Sequence, residues 1–124
     1  QVYVHEDRDL QLMASSLAGE GDVVIGISHS GSNYSVLRCL KNAKENGAQT
    51  IALVSRGKTP LSKIADVVID TASEETIFQS ESVSTRIAQL AIIDSLVSIV
   101  AFMNYDESYR AIQKTRKATS ENKF

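Results

Sequence analysis

The chain has 124 residues, 43% of them hydrophobic and 23% charged, with a formal net charge of −2, the profile of a single ordinary globular domain. Its thirteen Lys and Arg are scattered apart from "KTRK" near the end, which excludes a general attraction to nucleic acid. One cysteine, Cys39, excludes an internal disulfide framework and a Cys-x-x-Cys redox or zinc site, and fits a reducing cytoplasm.

In chain order, strand-like and helix-like runs alternate. "VYVH" reads as a short β-strand. "DRDLQLMASSLAGEG" then sets Leu10, Met13, Ala14 and Leu17 at helical spacing and breaks at Gly19 and Gly21. "DVVIGIS" is apolar without alternation, the pattern of a parallel strand covered on both faces. "YSVLRCLKNAKENG" predicts a helix with Val36, Cys39, Leu40 and Ala43 inward and Gly47 as its stop. "TIALVS" is the next strand, "TPLSKIA" a short helix with Thr59 as N-cap and Pro60 at its first position, and "DVVIDT" the last strand. The alternation predicts an α/β fold, a parallel sheet flanked by helices.

After "DVVIDT" the pattern changes. "ASEETIFQSESV" is polar and irregular, and leads into a long helix over residues 85–103 and an amphipathic one over 106–118. The apolar stretch "IAQLAIIDSLVSIVAFM" is interrupted by Gln89, Asp94, Ser95 and Ser98. It falls short of the ~20 clean residues of a membrane span, so it reads as a buried helix. Its apolar residues surround the axis, more than one sheet face requires, and a homodimer interface along 85–103 is the expected cover. Cys39 and Asp94 read as packing or paired residues, and Tyr105 and Tyr109, four apart, as an edge of the terminal helix.

Chemistry concentrates in "GISHSGSN", Gly26 to Asn33. A strand ending near Ser28 and a helix starting near Ser32 or Asn33 put this loop at the carboxyl end of a parallel strand, where open α/β sheets bind ligands. The helix start favours an anion, the hydroxyls add donors, and Gly31 permits close approach to the backbone. The stretch has the GxxxxG spacing of a P-loop, but Ser32 and Asn33 stand where Lys and Ser or Thr are required. "GISHS" lacks the second glycine of a nucleophile elbow, and no GxGxxG is present. Two histidines, His5 and His29, without a second-ligand spacing give no metal site, and no cofactor is implied.

"GDVVIGISHSGSN", "AKENGAQTIALVS" and "LSKIADVVID" together resemble the SIS, or sugar isomerase, domain, a phosphosugar-binding α/β module of flavodoxin-like topology. "STRIAQLAIIDSL" is similar in particular to the RpiR family of bacterial transcriptional regulators. The resemblance implies that Ser28, His29, Ser30 and Gly31 hold the phosphate of a sugar phosphate. Asn33 stands where many members have Thr, and Ser84 would meet the ligand from the start of the long helix, with Ser82 and Glu81 nearby. Etherase and synthase members often carry Glu five positions before that serine; here the position is Gln79, and no catalytic residue is assigned.

By the same resemblance, residues 1–124 form one SIS domain lacking its first helix and strand and the helix-turn-helix that precedes it in regulators. DNA contact would come only through that amino-terminal domain, and no membrane is involved. Two functions follow. One is a cytoplasmic effector-binding and dimerising module; the other is a phosphosugar isomerase or amino-sugar-phosphate etherase on the same fold. An isomerase needs a positioned base, and His29 and Glu81, the candidates close to the motif, have no recognisable partner in the sequence. The sensor is the expected function.

Overall fold

Three of the four predicted strands pair in parallel: β1 (Val23–Ser28), β2 (Gln49–Ser55) and β3 (Val67–Thr71), in the spatial order β1-β2-β3. The structure is a computed structural model, and it describes residues 2–55, 57–72 and 83–120. Between the strands run α1 (Arg8–Leu17), α2 (Tyr34–Glu45) and α3 (Pro60–Ile64); α4 (Val83–Met103) and α5 (Tyr105–Ser120) follow the sheet. The predicted α/β class is thus observed, a parallel sheet with flanking helices.

Register decides which residues meet α2. Val24 lies beside Thr50, Gly26 beside Ala52 and Ser28 beside Val54, so these alternate positions share one face. The core forms there: Leu40 of α2, Ala52 and Val54 of β2 and Leu61 of α3, with Val24, Val36, Leu37 and Ile64 packed around them. Each large aliphatic side chain buried this way contributes about 1.5–3 kcal/mol. Gly26 sets the spacing, because a Cβ there would stand 2.8 Å from Leu40 Cδ1 and 2.9 Å from Val36 Cγ1. The predicted stop of α2 is realised as paired closing bonds, Gly47 N–H to the Lys44 carbonyl and Ala48 N–H to the Ala43 carbonyl, with Gly47 at φ +89°.

A polar clamp closes the amino-terminal edge of the sheet. Asp66 accepts hydrogen bonds from Lys44 Nζ at 2.6 Å, the Thr50 hydroxyl at 2.7 Å and the Thr50 N–H at 2.9 Å. Lys44 also donates to the Ile64 carbonyl at 2.8 Å. With Lys44 and then Thr50 stabilising its charged form, the Asp66 carboxyl is lowered from 3.8 to about 2. The clamp joins the last turn of α2 to the starts of β2 and β3.

Two expectations are corrected. "VYVH" is not a strand: Val2, Tyr3 and Val4 are exposed and make no ladder. β-propensity supplies side chains that suit a sheet but no partner, and among the described residues β1 pairs only with β2. Nor is the sheet covered equally on both faces. Away from α2, Leu53 is buried, but Val23 and Ile25 of β1 remain 52% and 47% exposed and Val67 of β3 51%.

The chain divides into two compact units, Gln1–Arg86 and Ile87–Phe124. In the second, the residues of α4 are apolar around the axis, as the sequence predicts, yet the helix is not buried. Leu90, Val97 and Phe102 are 65%, 62% and 75% exposed. The buried positions along α4 are the polar Thr85 and Gln89. By length and composition alone α4 is sufficient to cross a membrane. In α5, Tyr105 and Tyr109 stack on each other with ring centroids 6.1 Å apart, a local edge as their spacing predicts.

Candidate functional site

The predicted ligand loop is where β1 hands over to α2. After Ser28 the chain reverses in a tight turn, closed by Gly31 N–H donating to the Ser28 carbonyl at 3.1 Å, with Gly31 at φ +61°. Ser30 then supports Ser32: its hydroxyl accepts from Ser32 N–H and its carbonyl from the Ser32 hydroxyl, both at 3.3 Å. Ser28 and His29 are half-buried, Gly31 is buried, and Ser30, Ser32 and Asn33 are exposed. Five of the sequence-predicted residues, Ser28, His29, Ser30, Gly31 and Asn33, therefore share one turn. Ser84 is the second residue of α4 and is exposed, and Glu81, with Gln79 and Ser82, lies outside the described residues.

Asn33 has a role that its place in the motif did not show. It is the N-cap of α2, its Oδ1 accepting from Ser35 N–H at 3.0 Å and Val36 N–H at 3.3 Å. The cap occupies two of the amides that a helix start offers to an anion. Those of Asn33 and Tyr34 have no acceptor among the described residues. Ligand donors at this turn are thus chiefly hydroxyls, the Asn33 amide nitrogen and the first backbone amides of α2, all of them neutral.

Gly31 also has an internal reason to be glycine. A Cβ there would collide with the side chain of Thr59, so the packing of the protein itself requires glycine at this position. Thr59 is the predicted N-cap of α3, in a reciprocal capping box with Ser62. The backbone extends the same junction: Ser55 N–H donates to the His29 carbonyl at 2.9 Å and Leu61 N–H to the Gly31 carbonyl at 3.0 Å. The segment after β2 is therefore the second wall of the site. Sequence reasoning passed over Ser55 and Lys58 and saw Thr59 only as a cap; the available signal was their place at the carboxyl end of the neighbouring strand. Among the described residues no three His, Cys, Asp or Glu side chains gather as a metal site.

Comparison with known proteins identifies this architecture. Residues 1–99 match the family model of the SIS domain. The chain belongs to the SIS domain family. Over 120 residues this SIS domain is 38% identical to an uncharacterized HTH-type transcriptional regulator of Caldanaerobacter subterraneus subsp. tengcongensis, covering 97% of the chain and 43% of that protein. It therefore spans under half the length of that relative. Among solved structures, the Vibrio vulnificus NanR protein complexed with ManNAc-6P superposes with a TM-score of 0.85 at 22% identity, over 98% of this chain and 46% of the other. The sugar isomerase domain of an RpiR transcription factor from Sphaerobacter thermophilus gives 0.73 at 20% identity, over 87% and 58%. These two likenesses bear on the SIS fold.

Proposed function

We propose that this SIS domain is the effector-binding part of a transcriptional regulator of sugar metabolism and takes a sugar phosphate at the turn Ser28–Asn33. The observation that carries the reading is the junction of β1 and α2, where hydroxyls, a buried glycine and the start of a helix meet at the carboxyl edge of a parallel sheet. Membership of the SIS family, the likeness to a regulator and the fold shared with a protein complexed with ManNAc-6P all support it. In this reading Ser28, Ser30 and the free amides at the start of α2 hold the phosphate, His29 and Asn33 border it, Ser84 contributes from the start of the long helix, and Glu81, three residues earlier in the sequence, joins it. The domain acts in the cytoplasm, pairs with a second copy through α4, and reaches DNA only through a separate amino-terminal domain.

A sensor is favoured over an isomerase or etherase because the turn holds no acid and two of the proteins named above are a transcriptional regulator and a transcription factor. The test is a thermal-shift and calorimetric screen of glucose 6-phosphate, glucosamine 6-phosphate, N-acetylglucosamine 6-phosphate and N-acetylmannosamine 6-phosphate against the unphosphorylated sugars. A ligand at about a hundred times its dissociation constant stabilises the folded state by about 2.7 kcal/mol. Selective stabilisation by one phosphorylated sugar, recovered unchanged, is expected. No stabilisation by any phosphosugar would overturn the reading, and turnover of the bound sugar would replace the sensor with the enzyme.

A further inference from the structure

A sugar phosphate brings more charge than the turn Ser28–Asn33 can answer. A phosphomonoester carries about −1.5 to −2 at neutral pH. Apart from His29, the turn offers hydroxyl and amide donors that carry no charge. The start of α2 contributes the equivalent of about half a positive charge, and the Asn33 cap has already taken two of its amides. Drawing a dianion out of water against neutral donors alone is costly. A cation at the rim would remove the mismatch.

The second wall carries one. Ser55 N–H donates to the His29 carbonyl and Leu61 N–H to the Gly31 carbonyl, so residues 57–60 lie between two points fixed to the ligand turn. Within that span Thr59 lies against Gly31. Lys58 immediately precedes it and is exposed, so its four-carbon stem starts one residue from contact with the turn and is long enough to cross it. Lys41 and Lys44 are paired with Glu45 and Asp66. Lys58 has no acidic partner among the described residues.

We infer that Lys58 supplies the positive charge for the phosphate, making the β2–α3 segment a specificity element that selects phosphorylated over neutral sugars. The inference rests on the reading of Ser28–Asn33 as the phosphate site. It is tested by calorimetry on the full chain with the tightest-binding member of the 6-phosphate panel, comparing wild type with Lys58→Gln, Lys58→Arg, Ser30→Ala and Lys63→Gln. Lys63 is an exposed lysine of α3 that controls for net charge.

Lys58→Gln is expected to weaken binding roughly 3- to 30-fold, as for loss of one solvent-accessible charge-assisted hydrogen bond. The defect should shrink at about 1 M salt, where the screening length is about 3 Å. Lys58→Arg should retain most of the affinity and Lys63→Gln all of it, with thermal melts of every variant matching wild type to show intact folding. If Ser30→Ala weakens binding while Lys58→Gln does not, the inference falls and the phosphate site stands. If Lys63→Gln weakens binding as much as Lys58→Gln, the effect belongs to net charge and the inference also falls. A wild-type chain that binds no phosphosugar overturns both.

Discussion

Asn33 combines two demands in one side chain. Its oxygen caps α2, while its amide nitrogen and its own backbone N–H stand at the mouth of the proposed phosphate site. Substitution separates them. Asn33→Ala loses the cap and should destabilise the domain by about 1 kcal/mol. Asn33→Asp keeps an acceptor and suits the helix dipole, so its melting temperature should hold, yet its charge should weaken phosphosugar binding by roughly tenfold through like-charge repulsion. Melting curves and calorimetry on the two variants check this, and Asn33→Asp binding at wild-type strength would move the phosphate away from α2. At this scale the turn was legible because an apolar run followed by Gly, Ser and Asn is a local pattern. Thr59, with Lys58 before it in the chain, was not, because Thr59 becomes a neighbour of Gly31 only through the pairing of β1 with β2, and adjacent letters do not encode that pairing.

Among the elements, the clamp at Asp66 makes the union of α2, β2 and β3 sensitive to acid. The carboxyl titrates lower when folded, at about 2, than its ordinary 3.8. Its contribution to stability is therefore complete above about pH 4 and is lost as pH falls through about 2. Asp66→Asn should be less stable than wild type near neutral pH, with the gap closing across that acid window. Urea midpoints measured across the window check it, and a constant gap would detach the clamp from the acid response. β1, β2, β3, α2 and α3 were readable because run length, Gly47 and the Thr59-Pro60 pair are local signals. "VYVH" misled because a strand is a relation between two segments, and residues 2–4 show only one side of it.

For the molecule as a whole, α4 poses the open energetic problem. A helix with Leu90, Val97 and Phe102 mostly exposed leaves apolar area that costs about 25 cal/mol per Å² to keep in water. A second copy is the expected cover. Light scattering at micromolar concentration should give twice the protomer mass. Leu90→Glu combined with Val97→Glu, seven residues apart and hence on one side of the helix, should shift that mass toward monomer with the sheet unit still folded by circular dichroism. A wild-type monomer would refute pairing through α4. The surplus of apolar residues was visible in the letters; their destination was not, since composition measures how much surface seeks cover and leaves the covering partner unnamed.

Thr59 against Gly31 has a consequence for how this sequence can drift. The glycine answers to the fold, because a side chain there meets Thr59 and the backbone is in the left-handed region. Among the described residues the hydroxyl of Ser30 meets only its neighbour, accepting from Ser32 N–H at 3.3 Å, a contact whose loss costs the fold little. A lineage that ceased to need its effector would keep Gly31 and let Ser30 wander. A saturation library sorted for folded protein alone should accordingly retain glycine at 31 and admit many residues at 30. Equal tolerance at the two positions would mean that Gly31, too, is held in place by the ligand.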